Sequence, residues 1–278
     1  MEMTLNPRLV ELYQICRNDA YVCLHPKKKN PIKADWRNQS VSAEDALAAN
    51  QMLQHNIGIL NGTTSGLIDI DLDCAEAVAF ADLFLPETVA SFGHEGNGRG
   101  HYLVAIKSSG KTRKFNMPDS SECLVELRSD GTQTMLPPSI HPSGHKLQFS
   151  YINDSAPAVD YADLLVATQR IAACSVIARS WSEGSRHQLA LAFAGMMYKA
   201  DFNQDLAENV VNTICNFTKD EEMADRLNAV TTTYAQDASS ISGYGIMVDV
   251  LGVNTARKIA EWLDIGADNT DVIEADGA

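Results

Sequence analysis

Residues 66–73 read Gly-Leu-Ile-Asp-Ile-Asp-Leu-Asp, an alternation of apolar and acidic side chains. A β-strand points successive side chains to opposite faces, so this pattern predicts a strand with one buried face and one acidic face. The acidic face would carry Asp69, Asp71 and Asp73. Three carboxylates along one strand repel one another unless a cation neutralises them, and oxygen ligands of this kind suit Mg²⁺ or Mn²⁺. Two metal ions held there could activate an attacking 3′-hydroxyl and stabilise a pyrophosphate leaving group.

Two other interpretations of the acidic strand lead away from catalysis. It could be the solvated polar face of an edge strand, and this alternative stays open. An EF-hand calcium loop also begins with Asp-x-Asp-x-Asp, but it requires Gly at its sixth position and Glu at its twelfth. Those positions hold Cys74 and Phe80 here, and an apolar strand precedes the aspartates where an EF-hand has a helix. The calcium loop is therefore excluded.

Two further segments offer candidate ligands for phosphate and metal. Residues 96–101 read Gly-Asn-Gly-Arg-Gly-His, and their glycines would let the backbone approach a phosphate that Arg99 and His101 contact. Residues 124–128 read Leu-Val-Glu-Leu-Arg, which places Glu126 and Arg128 on one face of a strand. Glu126 could complete a metal site and Arg128 could bind phosphate. For residues 96–101 the alternative is a plain turn with a structural histidine. For Glu126 and Arg128 the alternative is a surface ion pair.

Residues 136–144 form a proline-rich segment that reads Leu-Pro-Pro-Ser-Ile-His-Pro-Ser-Gly. Each proline fixes one backbone dihedral, so the segment is expected to be a rigid loop. Such a loop could hold Ser139 and His141 in fixed positions for a ligand. It could equally be a structural connector.

The order of the strand and helix patterns predicts an α+β fold. Short β-rich runs with turn signals precede residue 155, and helical periodicity follows it. We expect a catalytic domain over residues 1–157, a small all-α domain over 158–265 and an acidic disordered tail over 266–278. Ser185 and Gln188 fit a capping box at the start of one helix. Strands are expected at 20–24, 57–60, 66–72, 101–106, 123–128, 133–136 and 147–151, and helices at 5–17, 43–55, 75–83, 160–180, 204–217, 221–234 and 255–263.

Composition limits the partners and the compartment. The net charge of −14 is unusual for a protein that binds nucleic acid, so we expect weak template binding or a partner that supplies it. The six cysteines are scattered without a Cys-x-x-Cys pair, as is typical of a reducing cytoplasm. No apolar run approaches the roughly 20 residues that span a bilayer, so no membrane partner is expected.

The motifs also occur in a recognisable order. Lys28-Lys29-Asn30-Pro31 precedes Trp36, a glycine-closed strand covers 56–62, and Ser65-Gly66-Leu67 leads to Asp71 and Asp73. Gly100-His101, Glu126-Leu127-Arg128, Gly131, Gln133-Thr134 and the proline loop follow. In this order, over about residues 20–150, the motifs resemble the N-terminal domain of the bifunctional DNA primase/polymerase (prim-pol) family of the archaeo-eukaryotic primase superfamily. The segment from about 181 to 252 resembles, more loosely, the helical domain that often follows such cores.

The resemblance implies a fold and a set of roles. The fold would be a prim-pol catalytic core with a mixed sheet of the RNA-recognition-motif type, followed by a small all-α domain. Asp71, Asp73 and Glu126 would hold two Mg²⁺ or Mn²⁺ ions. His101 would contact the incoming triphosphate, assisted by Arg128 and by His141 or Lys29. Asp69 stands where the family has an apolar residue or a variable acid, and Gly100 stands where serine is common.

The resemblance also implies partners and an activity. The chain would be a template-dependent primase and polymerase of a phage, plasmid or other mobile element, acting on single-stranded DNA with nucleoside triphosphates. The family often links this domain to a helicase, so a helicase in cis or in trans is an expected partner. Two other functions stay open: a metal-dependent nuclease or phosphodiesterase, and a non-catalytic replication-initiation module that binds DNA.

Overall fold

A computed structural model describes residues 19–94 and 97–266 of the chain. The expected helix over residues 5–17 and residues 267–278 of the expected tail lie outside this part. The described strands are β1 (Tyr21–Leu24), β2 (Asn56–Leu60), β3 (Leu67–Leu72), β4 (Ala90–His94), β5 (Asn97–Ala105), β6 (Arg113–Asn116), β7 (Cys123–Arg128), β8 (Gln133–Leu136) and β9 (Gln148–Ile152). The described α-helices are α1 (Ala43–Leu53), α2 (Ala75–Phe84), α3 (Tyr161–Arg179), α4 (Arg186–Lys199), α5 (Gln204–Thr218), α6 (Met223–Tyr234), α7 (Tyr244–Leu251) and α8 (Val253–Trp262).

The strands form two sheets. The smaller has the order β1-β2-β8, and the larger has the order β6-β7-β3-β5-β4-β9. β3 lies inside the larger sheet and pairs antiparallel with β5 on one side and with β7 on the other. This central position excludes the edge-strand interpretation of the acidic segment. The apolar side chains of β3 behave as their alternation predicts, since Ile68, Ile70 and Leu72 are all fully buried.

The two sheets share an apolar core with α1. Tyr21, Ile57 and Ile59 of the smaller sheet belong to the same buried cluster as Phe92 and Leu103 of the larger one. Each large apolar side chain buried in this way stabilises the fold by about 1.5–3 kcal/mol relative to an exposed one. The core thereby fixes β3 and its neighbours, which carry the candidate site.

The chain divides into two compact units. Of the residues that the structure describes, the first unit contains those up to Asp73, those within Leu85–Lys114 and Val125–Leu165, and the second contains Cys74–Phe84, Phe115–Leu124 and those from Val166 onward. In the second unit α4 packs against α6 and α7, and α5 packs against α6 and α2. The domain limits expected from the sequence, at residues 157 and 265, stay a prediction.

Side-chain caps begin two of the helices. The Ser42 hydroxyl accepts a hydrogen bond from the Asp45 amide at 3.1 Å, and the Asn203 side chain accepts one from the Leu206 amide at 2.8 Å. The capping box expected at Ser185 is wrong. Ser185 has a helical backbone conformation, and its hydroxyl donates to the Ser182 carbonyl at 3.1 Å instead of capping α4.

One described helix, α3, is a marginal candidate for a membrane span. By length and composition alone this 19-residue helix could cross a membrane. The 18-residue apolar stretch that passes this test is 61% buried inside the protein, so it is weak evidence for a membrane span. The described cysteines (Cys23, Cys74, Cys123, Cys174 and Cys215) are all free thiols.

The predicted α+β class is confirmed. Two described strands and one described α-helix were not expected: β4, β6 and α7. β4 has the sequence Ala-Ser-Phe-Gly-His, which contains a single large apolar residue, so it lacks a strand pattern of its own. It is a strand because β5 and β9 pair with it on both sides.

Candidate active site

The candidate site forms where three adjacent strands place polar side chains on one face. In the antiparallel pairs of β3, Asp71 lies directly opposite His101 of β5 and directly opposite Glu126 of β7. Asp69 lies opposite Arg128 of β7. Directly paired residues of antiparallel strands point to the same face of the sheet. The register therefore assembles acidic and basic residues of β3, β5 and β7, three strands that are separated in the sequence, into one cluster.

Cations and carboxylates alternate within this cluster. The His101 Nδ1 atom lies 3.1 Å from Asp69 Oδ2 and 3.4 Å from Asp71 Oδ1. The Arg128 Nη1 atom lies 3.6 Å from Asp69 Oδ2 and 3.5 Å from Asp71 Oδ2. Glu126 lies 3.7 Å from Arg128 Nε and 3.6 Å from Lys114 Nζ. The cluster can therefore attract a cation to its carboxylates and an anion to His101 and Arg128.

Asp69 is the most enclosed member of the cluster. It is fully buried, and the Thr134 hydroxyl donates a 2.6 Å hydrogen bond to its Oδ2 atom. The Asn61 amide in turn donates to the Thr134 hydroxyl at 3.0 Å. Thr134 belongs to β8 and Asn61 follows β2, so this polar chain connects the smaller sheet to the acidic face of the larger one.

Burial and neighbouring charge shift the ionisation of the cluster in opposite directions. Burial acts to raise the pKa of Asp69, but the charges of His101 and Arg128 and the bonds from His101 and Thr134 hold that pKa below its ordinary range. Burial raises the pKa of Asp71 to about 6, and Asp69 and Asp73 add to this effect while His101 and Arg128 oppose it. Burial acts to lower the pKa of His101, yet Asp69 and Asp71 raise it above its ordinary value.

The oxygen donors of the cluster fit a hard divalent cation. Asp71 and Glu126 have side chains that are 14% and 13% exposed, and Asp73 is exposed at the end of β3. Burial is the main cause of the raised pKa of Asp71, with a smaller contribution from the carboxylates of Asp69 and Asp73, and a bound Mg²⁺ or Mn²⁺ would favour the ionised form. In the part of the chain described, Asp69, Asp71 and His101 have ligand atoms within 4.8 Å of one another. The geometry thus presents Asp69 and His101 as alternatives to the expected ligands Asp73 and Glu126.

Six of the predicted site residues line a single cleft: Lys29, Asp71, Asp73, His101, Arg128 and His141. His94 lines it too, and its ring stacks on that of His141 at 4.9 Å between centroids. Burial lowers the pKa of His141, and the nearby charge of Lys29 lowers it further. Glu126 is not among the described residues that line the cleft, but its Oε2 atom lies 3.7 Å from Nε of Arg128, which does.

Two predicted site residues have other partners. Ser139 is fully buried, and its hydroxyl accepts from the Ile57 amide at 2.8 Å and lies 3.2 Å from the Ile57 carbonyl. It therefore ties the proline loop, whose Pro137–Pro138 peptide is cis, to β2. Arg99 lies on β5 with its guanidinium 5.4 Å from the centre of the Tyr102 ring. Neither residue lines the cleft, so their roles as nucleotide contacts stay predictions without geometric support.

The structure adds three residues to those predicted. Thr134 and Lys114 contact the acids directly, and His94 lines the cleft. Thr134 stands within a motif that the sequence offered, Gln133-Thr134, although nothing there indicates which carboxylate it meets. Lys114 and His94 lie on β6 and β4, the two strands that lacked a sequence pattern.

Comparison with known proteins agrees with this geometry. A family model described as "Prim-Pol: bifunctional DNA primase/polymerase, N-terminal" matches residues 12–160, which is more than half of the 278-residue chain. The matched segment contains every residue of the cluster and of the cleft. No curated protein matches the chain.

Proposed function

Because the chain belongs to the bifunctional DNA primase/polymerase family, we propose that it is a template-dependent nucleotidyltransferase acting on single-stranded DNA. It would transfer a nucleotide from a nucleoside triphosphate to a 3′-hydroxyl. The observation that carries this proposal is the row of Glu126, Asp71 and His101 across β7, β3 and β5, with Arg128 beside it. Acidic oxygens for metal ions and cationic groups for a triphosphate stand side by side there.

The proposed metal ligands are Asp71, Asp73 and Glu126, with Mg²⁺ or Mn²⁺ as the ions. When bound, two such ions lower the pKa of the attacking hydroxyl and neutralise the leaving pyrophosphate. The ligand set is proposed from the family pattern, and the partial exposure of these three side chains supports it, because a catalytic ion must also reach substrate and water.

The proposed contacts to the incoming triphosphate are His101, Arg128, His141 and Lys29, which line the same cleft as Asp71 and Asp73. Arg128 offers several N–H donors in a fixed plane, an arrangement that matches phosphate oxygens. Asp69 and Asp71 raise the pKa of His101 against the opposing effect of burial, which favours its protonated form, a hydrogen-bond donor with a positive charge. These groups would hold the triphosphate so that its α-phosphate lies in line with the attacking hydroxyl, and positioning of this kind lowers the barrier.

The proposed partners follow from the family and the charge. A single-stranded DNA template and nucleoside triphosphates are the proposed substrates, and a cytoplasmic phage or plasmid replication system is the proposed setting. A helicase in cis or in trans would strengthen binding to the template, which the net charge of −14 disfavours.

The test is synthesis on single-stranded DNA with labelled nucleotides and Mg²⁺ or Mn²⁺, with and without a primer. The double variant Asp71→Asn with Asp73→Asn should lose at least about 100-fold in rate, because the metal ligands carry the chemistry. Asp154→Asn, an exposed acid outside the cleft, is the control and should keep the wild-type rate.

Each outcome of this experiment has a distinct meaning. Products without a primer that depend on Asp71 and Asp73 would establish a primase, and extension of a primer alone would establish a polymerase. Cleavage of DNA in the absence of nucleotides, dependent on the same two acids, would replace the proposal with a nuclease. A correctly folded wild-type protein that neither synthesises nor cleaves would favour a non-catalytic binding module.

A further inference from the structure

Asp69 differs from Asp71 and Asp73 in its access to solvent. Asp73 is exposed and the Asp71 side chain is 14% exposed, whereas the Asp69 side chain is 0% exposed. Burying a carboxylate is unfavourable unless hydrogen bonds and opposite charges compensate it. A function for Asp69 must therefore be sought in the groups that compensate it.

Those groups occupy both oxygen atoms of Asp69. Its Oδ2 atom receives the Thr134 hydroxyl at 2.6 Å and lies 3.1 Å from His101 Nδ1, while Oδ1 lies 3.3 Å from the same nitrogen. Arg128 Nη1 lies 3.6 Å from Oδ2. Mg²⁺ and Mn²⁺ sites in enzymes keep open positions for water and substrate. A fully buried carboxylate that already meets a histidine, an arginine and a threonine is poorly suited to such a site.

His101 is held from two sides. Asp69 engages its Nδ1 atom, and the Phe92 ring stacks on the imidazole with a centroid distance of 4.9 Å and an interplanar angle of 12°. The partner of one ring nitrogen fixes both the orientation of the ring and the role of the other nitrogen. With Nδ1 engaged by Asp69, the Nε2 atom is the nitrogen left to meet a ligand in the cleft that His101 lines.

We propose that Asp69 is a positioning residue that orients His101 and Arg128 toward the triphosphate, and that it is not a ligand of the metal ions. This inference rests on the proposed function. It assigns Asp69 to the anion-binding half of the cluster and leaves the cation-binding half to Asp71, Asp73 and Glu126. Thr134 contributes to this positioning, because its hydrogen bond anchors Asp69 to β8 of the smaller sheet.

The experiment separates binding of the metal from binding of the nucleotide. Mn²⁺ alone is titrated into the wild type and into Asp69→Asn, with electron paramagnetic resonance as the readout of free ion. A non-hydrolysable nucleoside triphosphate is then titrated in the presence of saturating Mn²⁺. We expect the Mn²⁺ affinity of Asp69→Asn to stay within 3-fold of the wild type and its nucleotide affinity to fall at least 10-fold. In primer extension, KM for the nucleotide should rise more than kcat falls.

Asp71→Asn and Thr134→Val are the comparison variants. Asp71→Asn should lose at least 10-fold in Mn²⁺ affinity, and if it does not, the proposed metal site fails independently of Asp69. Thr134→Val keeps the Asp69 carboxylate but removes its anchor, so we expect a loss of about 3-fold in nucleotide affinity with unchanged Mn²⁺ affinity. This variant is decisive if Asp69→Asn does not fold.

Two results would overturn the inference. A loss of Mn²⁺ affinity in Asp69→Asn as large as that in Asp71→Asn would make Asp69 a metal ligand. Unchanged nucleotide affinity in Asp69→Asn would exclude a positioning role. If Asp69→Asn does not fold, unchanged nucleotide affinity in Thr134→Val would exclude it. Absence of DNA synthesis by the wild type would count against the proposed function but would leave the meaning of both binding measurements intact.

Discussion

Asp220 is a buried carboxylate of the helical unit, and the groups that surround it are expected to affect the stability of this unit measurably. Trp181 Nε1 donates to its Oδ2 atom at 2.8 Å, Arg226 Nε does so at 3.1 Å, and the Glu222 amide donates to Oδ1 at 3.0 Å. Burial acts to raise the pKa of Asp220, but these hydrogen bonds and the charge of Arg226 hold the pKa below its ordinary range. The ionised form of Asp220 therefore stabilises the folded unit.

We expect Asp220→Asn to lower the free energy of unfolding by about 2–3 kcal/mol at pH 7, since it leaves the buried Arg226 without its buried counter-charge. A depressed pKa means that the contribution is complete above the ordinary aspartate pKa of about 3.9 and is lost as the pH falls through the lower folded value. Urea denaturation at pH 7, 5, 4 and 3 should show the gap between wild type and variant closing only below about pH 4.

The exposed Asp249 on α7 supplies the control, because Asp249→Asn removes the same charge without breaking a buried pair. Its effect should stay within about 0.5 kcal/mol at every pH. An Asp220→Asn gap that stays constant down to pH 3 would contradict the depressed pKa.

The site illustrates which residue roles a sequence can and cannot reveal. Alternation placed Asp69, Asp71 and Asp73 on one face, and the family pattern singled out Glu126 and Arg128. The environment of Asp69 was not predictable, because it depends on Thr134 of β8, which is 65 residues away in the sequence. Ser139 was predicted as a nucleotide contact from its rigid loop, yet the structure shows its hydroxyl bonded to the backbone of Ile57.

At the scale of elements, α4 and the start of α7 approach so closely that two glycines are required. A Cβ atom at Gly195 of α4 would lie 2.6 Å from the Ser242 carbonyl oxygen, and one at Gly243 would lie 2.1 Å from the Ala192 carbonyl oxygen. Both obstacles are backbone atoms, which cannot move aside without separating the two helices. The contact between α4 and α7 therefore depends on the absence of side chains at these positions.

We expect Gly195→Ala and Gly243→Ala each to lower the free energy of unfolding by about 1–3 kcal/mol, the usual effect of overpacking. The sign is informative for Gly195, because alanine in the middle of a helix is otherwise favoured by about 1 kcal/mol. Gly245→Ala is the matched control, since nothing lies within 4 Å of its added Cβ atom and it should be neutral or stabilising. Chemical denaturation would measure the free energy of unfolding of the three variants. Equal values for all three would contradict the close packing of α4 against the start of α7.

Elements with a strong local pattern were predictable, and elements formed by their neighbours were not. β3 followed from its alternation, and α5 from its helical periodicity. β4 and β6 were missed because short polar strands derive their stability from pairing in the sheet. β5 begins at Asn97, four residues before the expected start, since the glycines of 96–100 indicated a turn. The Ser185 capping box had the right residues, but its backbone conformation is helical.

At the scale of the whole molecule, the charge of the chain sets how it meets a template. The sequence has 36 acidic and 22 basic residues, so the average field repels DNA. The cleft itself contains basic side chains, because Lys29 and Arg128 line it together with His94, His101 and His141. Template affinity should therefore come from a few contacts near the site instead of from a broad basic surface.

We expect single-stranded DNA to bind weakly, with a dissociation constant above about 10 μM at 0.15 M salt, and with a shallow salt dependence. Each phosphate neutralised on a single strand contributes a slope of about −0.7 to the plot of log affinity against log salt, so two or three contacts give a slope between about −1.4 and −2. Fluorescence anisotropy of a labelled oligonucleotide between 50 and 300 mM salt measures both quantities.

Lys29→Ala should reduce the slope by about 0.7, whereas Lys258→Ala on α8, outside the cleft, should leave it unchanged. Nanomolar binding with a slope steeper than about −4 would mean that a basic surface beyond the cleft engages the template, and the chain would then need no partner to hold it.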